Sequence, residues 1–463
     1  MSKLACSDRW LLRASFVVSG VALSAIAVSA SSPAAANDVP TLAAVSTPTS
    51  VLQAAQLASA PMELRSYYAY YGGQPLWITA GGALNPAAKV LLKLVQTAHY
   101  DEIDPANLNA DLLSSAIDRA EADPSPTNLT DAEVLLSSAL VGYEKALLQH
   151  QNAGMTYEHG NLQPYLPDAQ AMLRAAATSG SLTDYISQMR WMHPLYAPLR
   201  EALVAEGAAP TGTSDAVVKN LERLRAIPRS PASRYVLVDA ANARLYMYEG
   251  DSVVDSMRVV VGKPETPTPM LAGYIRYAIF NPYWKVPTDL VGKRIVPSVI
   301  KLGQPYFKRQ GYEVVTDWSD GATLIDPTSI DWHAVSRGDK EVKVRQLPGG
   351  ANAMGKVKFE FPNAFGIYLH DTPEKDLLKE GSRQFSNGCI RLEDAQRLGR
   401  WLLGSSMPAT VSSTPEQRLD LAQPVPVYVT YLTAHIEAGQ IAMTADPYLR
   451  DVVKTKELAL QTN

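Results

Sequence analysis

Tyr235-Val-Leu-Val-Asp239, Arg244-Leu-Tyr-Met-Tyr248 and Val253–Val261 follow one another closely, separated by Ala240–Ala243 and the Glu249-Gly-Asp251 turn. Short runs of β-branched and aromatic residues punctuated by turn residues predict strands. Several in succession predict a sandwich or a barrel. Further strand signals stand at Glu341–Gln346, Lys356–Phe361, Gly366–His370 and Val425–Thr433. Thr288–Lys340 mixes aromatic and charged residues and is long for a hairpin connection, so 288–340 is expected to be an inserted subdomain or lid that orders over a cleft.

Upstream the period changes. From residue 61 to 205 the pattern is helical. Val90, Leu91, Leu94 and Val95 fall on one face after Pro86. Asp131 is the expected cap of a helix over Ala132–Gln149, with Ala122–Thr130 as a loop. The Tyr67–Tyr71 run and Trp77 are either core or a ligand platform. Residues 206–230 read as a linker, with Gly207, Pro210 and Gly212, then a short helix capped by Thr213 or Ser214 that presents Val217, Leu221 and Leu224. The fold class is therefore α+β: an all-helical domain, then a β-rich domain over 231–435, then a tail over 436–463.

Residues 1–36 read as an export signal. Lys3, Arg9 and Arg13 precede the uncharged Ala14–Ala30 stretch, and Ala34-Ala-Ala36 offers a cleavage site. The other reading is an uncleaved anchor, for which the apolar run is marginal. Residues 37–60 are rich in Ala, Ser, Thr and Pro and read as a linker. The expected location is the periplasm. Charged residues make up 19% of the chain and the net charge is −4, so no basic face for nucleic acid is indicated. The two cysteines are Cys6, within the signal, and Cys389. A lone thiol in an oxidising compartment is either reactive or a buried inert residue.

The neighbourhood of that thiol is Gly366-Ile-Tyr-Leu-His370-Asp-Thr-Pro373, then Phe385-Ser-Asn-Gly-Cys389-Ile-Arg391. Leu392, Ala395, Leu398 and Leu402 have helical spacing before Gly404, so Cys389 is expected just ahead of a helix N-terminus, where the dipole favours a thiolate. His370 is the candidate base. The N–H groups of Gly388 and Cys389 are candidate oxyanion donors, with Ser386 in the same turn. Histidines are scattered, with His333 in the expected lid, and none has metal-ligand spacing. No metal or other cofactor is expected.

His370-Asp-Thr-Pro373 followed by Arg383-Gln-Phe-Ser-Asn-Gly-Cys-Ile-Arg391 resembles the active-site signature of the L,D-transpeptidase family with a YkuD-type catalytic domain. Gly262-Lys-Pro with Thr266-Pro-Thr-Pro269, Asn281-Pro-Tyr-Trp-Lys-Val-Pro287, and Arg345-Gln-Leu-Pro-Gly with Asn352 and Gly355 are similar to its larger Gram-negative murein branch, which has an N-terminal scaffold domain. The resemblance implies a Cys389 thioester formed on a peptidoglycan stem at the meso-diaminopimelate residue, with loss of terminal D-Ala and resolution by a second stem to give a 3-3 cross-link. It implies His370 as proton acceptor, oriented by the Asp371 carbonyl, and Tyr368 beside the oxyanion. The Asp371 side chain either assists or caps a turn. Arg391 and Arg345 bind substrate carboxylates or form internal salt bridges. Asn387 stands where many members have His. The small peptidoglycan-binding module frequent in the branch has only the linker 206–214 in its place. Water as acceptor makes an L,D-carboxypeptidase or endopeptidase, and an inert Cys389 a silent wall-binding protein. The physiological acceptor and oligomeric state are not readable from these residues.

Overall fold

The computed structural model describes residues 52–149, 153–207, 213–319, 321–404 and 414–451. The expected signal, most of the 37–60 linker, residues 208–212, the cap side chains at 213 and 214 and the terminal 452–463 lie outside the described residues. The linker ends sooner than expected, because Ala54–Ser59 is helical and Leu52 and Ala60 are buried.

The helical domain is built as its apolar spacing dictates, with one displaced start. The helix expected from Ala132 begins at Pro126 and runs to Leu148, capped by the Ser125 hydroxyl, which accepts from the Asn128 N–H at 3.4 Å. Proline is pre-set for the first helical turn, where its missing N–H costs nothing. Tyr67, Tyr68 and Trp77 are core rather than platform. Tyr68 donates to Glu133 at 2.7 Å, and Glu133 also accepts the Leu76 and Trp77 N–H groups. Burial pushes the Glu133 pKa up to about 7. A second buried carboxylate, Asp101, accepts from Tyr143 at 2.6 Å, Tyr196 at 2.7 Å and Arg200 at 2.7 Å. Its carbonyl accepts from Arg225 on the connecting helix Thr213–Arg225, which buries Val217, Leu221 and Leu224.

The strands are β1 Thr156–Tyr157, β2 Arg234–Asp239, β3 Arg244–Glu249, β4 Ser252–Gly262, β5 Leu271–Phe280, β6 Trp284–Lys285, β7 Tyr312–Val315, β8 Leu324–Ile325, β9 Lys343–Gln346, β10 Val357–Glu360, β11 Leu369–His370, β12 Gln384–Ser386, β13 Ile390–Leu392, β14 Gln417–Thr430, β15 Ala434–Glu437 and β16 Gln440–Met443. The large sheet runs β1-β5-β10-β11-β13-β4-β3-β2-β14, and β14 also pairs with β5, so the sheet closes on itself. No strand is expected at β5 from the sequence, yet it is the strand on which β1, β10 and β14 converge. Its Gly273 gives a weak strand signal, and a Cβ there would crowd the Phe361 ring at 3.1 Å.

The helical and β-rich domains share one apolar core rather than meeting across a loose joint. β1 pairs in parallel with β5, Tyr157 donates to the Ala226 carbonyl at 2.6 Å, and Tyr428 donates to the Leu162 carbonyl at 2.9 Å. His193 lies 3.1 Å from the Tyr235 hydroxyl, and Tyr235 stacks on Tyr248.

The expected lid has a core of its own. β6, β9, β7 and β8 form a separate sheet, and Trp284, Val296, Phe307, Trp332 and Val344 pack together beside it. Its cluster extends past 288–340 to take in Trp284 and Met354. Asn352 pins its base by donating to the Pro282, Gln346 and Leu347 carbonyls. The expected tail is likewise packed as far as it is described. β15 and β16 form a hairpin, and Tyr448 donates to the Gly262 carbonyl at 2.6 Å.

Removing a partner from a buried charge leaves the other charge unpaired. Asp101→Ala strips Arg200 and two tyrosines of their acceptor, so urea denaturation should show a loss of about 3–5 kcal/mol. A loss of about 1 kcal/mol or less, the size of a surface ion pair, contradicts the hub.

Candidate active site

Strand register assembles the site. β11 lies between β10 and β13, with Lys358 opposite His370 in the antiparallel pair and His370 opposite Arg391 in the parallel pair. Directly opposed residues project to the same face, so Lys358, His370 and Arg391 form one row. The Ile390 N–H donates to the Tyr368 carbonyl at 3.1 Å, which sets Cys389 beside Tyr368. Residues two apart on a strand share a face, and Tyr368 and His370 do so with ring centroids 5.7 Å apart. Glu360 completes a second row, Glu360–Tyr368–Cys389. Tyr368 neighbours both His370 and Cys389, and Lys358 and Glu360, which the sequence reading does not single out, stand on the same two rows.

His370 is buried, and its Nδ1 lies 2.6 Å from the Asp371 carbonyl oxygen. A carbonyl only accepts, so Nδ1 carries the proton and Nε2 keeps its lone pair. The Asp371 carboxylate does not touch the imidazole. It accepts the Lys356 N–H at 2.9 Å and the Lys375 ammonium at 2.8 Å, the turn-capping alternative.

Cys389 is partly exposed. Its thiol lies 3.8 Å from the Gly366 carbonyl, and the Tyr368 N–H and hydroxyl both hydrogen-bond toward the sulfur. The helix dipole expected to act on it is absent. Ile390–Leu392 pairs as strand β13 with β4 and β11, and the helix Ala395–Leu403 starts only after the cap Asp394. Leu392 fits the helical spacing by coincidence, since Ile390 and Leu392 are both buried with the period of a strand.

Burial works against the expected thiolate. Burial pushes the Cys389 pKa up to about 11, outweighing the Tyr368 hydrogen bonds and the Arg391 charge that favour ionisation. Burial, then the Arg391 charge, lowers His370 to about 3. Between these values burial favours the neutral form of both groups.

The turn before Cys389 is bonded to itself. Gly388 has φ of 118°, which a side chain disfavours. Its N–H donates to the Ser386 hydroxyl at 3.1 Å, and that hydroxyl donates to the Cys389 carbonyl at 2.6 Å. Thr268, which is buried, donates to the Gly388 carbonyl at 2.8 Å. The Gly388 N–H is therefore engaged, contrary to its expected role as an oxyanion donor. The Cys389 N–H makes no hydrogen bond among the described residues.

Both candidate arginines are internally paired. Arg391 bonds Glu374. Arg345, in the lid, holds Glu313 at 2.7 Å and lies over the Tyr283 ring. Among the described residues no group of three or more His, Cys, Asp or Glu is placed to hold a metal, and no helix is long and apolar enough to cross a membrane. His333 sits exposed on the lid helix Trp332–Arg337.

Thiolate content governs alkylation. With the thiol near 11, its iodoacetamide rate should climb steadily with pH from neutrality toward that value. A plateau reached below about pH 8, as an activated thiolate gives, contradicts the neutral pair.

Comparison with known proteins follows the same division of the chain. Residues 233–428 match the family model of the YkuD L,D-transpeptidase catalytic domain, and residues 62–203 match the Scaffold domain model. A Haemophilus influenzae protein named as a candidate L,D-transpeptidase is 27% identical over 328 residues, covering 68% of this chain and 65% of that protein's length. Solved structures it resembles include an L,D-transpeptidase from Mycobacterium smegmatis, at 12% identity and TM-score 0.22 over 43% of this chain and 58% of that one. An Enterococcus faecium L,D-transpeptidase variant matches at 14% identity and TM-score 0.18 over 44% and 52%. With the signature residue His370 ending β11 and Cys389 immediately preceding β13, its partner strand in the matched segment, the chain belongs to the L,D-transpeptidase family, with a YkuD-type catalytic domain behind a Scaffold domain.

Proposed function

We propose that this chain is an exported peptidoglycan transpeptidase that works in the periplasm through a Cys389 acyl-enzyme and forms 3-3 cross-links. The observation that carries the reading is the partly exposed thiol and the buried imidazole that both neighbour Tyr368, with the imidazole Nδ1 tied to a main-chain carbonyl. The sulfur attacks the carbonyl carbon of the diaminopimelate that precedes terminal D-Ala, and its proton passes to His370 Nε2. The tetrahedral oxyanion is met by the Cys389 N–H and the Tyr368 hydroxyl. The amide C–N bond then breaks, the D-Ala amine takes the proton from His370, and a thioester remains. A second stem's side-chain amine attacks that thioester, its proton passes to His370, and the thiol departs reprotonated.

Deferring ionisation to the moment of attack suits this chemistry, because a resting thiolate in an oxidising compartment is exposed to oxidation. Asp371 acts in this scheme through its carbonyl, Ser386 and Gly388 hold the turn, and Arg391 and Arg345 serve as internal ion pairs.

Incubation of the enzyme with a purified tetrapeptide muropeptide should give, by mass spectrometry, a Cys389 adduct lacking D-Ala and cross-linked dimers. His370→Ala should slow the formation of both by about 10²–10⁴. Tripeptide product without dimers makes the enzyme a hydrolase. No adduct with the peptide or a carbapenem, alongside retained wall binding, contradicts an active thiol.

A further inference from the structure

Lys358 and Glu360 are unused by the mechanism yet share the face that carries it. They lie two apart on β10, ion-paired at 2.9 Å, with side chains 13% and 18% exposed. Lys358 is in register with His370, and its ammonium lies 5.6 Å from the Tyr368 ring centroid. Glu360 interacts electrostatically with Tyr368 and with Cys389. A charged pair this enclosed, one strand from the base and two from the nucleophile, is costly to bury for fold stability alone.

A fixed cation and anion side by side match a ligand group that carries both charges on one carbon. The ligand's carboxylate meets the ammonium and its ammonium meets the carboxylate. The distance fits the same ligand. Strand spacing is about 4.8 Å, so the β10 pair stands roughly 10 Å in backbone from Cys389, and side chains of this length close part of that gap. In a 2,6-diamino diacid, three methylenes separate the acylated centre from a second centre bearing an amine and a carboxylate.

We propose that Lys358 and Glu360 read the zwitterionic side-chain end of the donor residue, making the enzyme selective for a diamino diacid over a diamino acid that ends in an amine alone. This deepens the proposed transpeptidase reading and rests on it. The β11 strand with Tyr368 and His370 lies between pair and thiol, so the same contacts that select the donor align its carbonyl with the sulfur.

The test compares two donors, L-Ala-γ-D-Glu-meso-diaminopimelate-D-Ala and its L-Lys counterpart, by the rate of Cys389 acylation in intact-mass spectra. The full-length enzyme should favour the diaminopimelate peptide by about tenfold or more. Lys358→Met should bring the two rates within about threefold, and Glu360→Gln should shrink the preference as well. The ratio is the readout, because any general effect on His370 slows both donors alike. Carbapenem acylation of each variant reports an intact fold and thiol. A native enzyme that acylates both peptides equally, or a Lys358→Met variant that keeps the full preference, overturns the assignment. A native enzyme that acylates neither peptide overturns the transpeptidase reading instead.

Discussion

The parallel pairing of two very short strands, Leu369–His370 and Ile390–Leu392, is the constraint on which the active face depends. Parallel neighbours cannot be joined by a tight turn, and here the connection carries Pro373, a short 3₁₀ turn and the Cys389 turn. That connection is held from outside rather than by its own length. Thr268 bonds the Gly388 carbonyl, Lys263 donates to the Ser386 carbonyl at 2.9 Å, and β12 pairs with β4. A slip of one residue in β11 would turn His370 and Tyr368 to the opposite face. The Asn363 side chain helps prevent it by bonding the Phe361 and Ile367 carbonyls ahead of the strand.

Around that pairing the rest of the molecule acts as a frame. β5 gathers β1, β10 and β14, so the helical domain is joined by hydrogen bonds to the sheet that carries the site. The lid keeps its own core and meets the site through Tyr368, which packs against it. Tyr368 therefore neighbours the sulfur, the imidazole ring and the lid core together.

Local pattern made much of this legible. β2, β3 and β4 follow their β-branched and aromatic runs to within a residue or so, and the connecting helix buries the apolar positions its spacing indicates. What was not legible depends on contacts between distant segments. β5 reads weakly because Gly273 makes room for Phe361. The helix expected immediately after Cys389 failed because a three-residue strand and a helical stripe share apolar positions over so short a span. Cys389 and His370 were readable as a motif, but the charge state of the pair was not, since it follows from burial. Lys358 and Glu360 lay in plain view as the polar alternates of Val357, Phe359 and Phe361. Only the register of β10 against β11 shows that they face the site.

The central claim is that His370 is a neutral base at rest, protonated on Nδ1 toward the Asp371 carbonyl, with Nε2 free for the thiol proton. Nitrogen-15 NMR of the His370 ring in the resting enzyme at neutral pH measures this directly. The account predicts a neutral imidazole with a pyrrole-type Nδ1 and a pyridine-type Nε2. An imidazolium paired with a thiolate, or a proton on Nε2 in place of Nδ1, would contradict it.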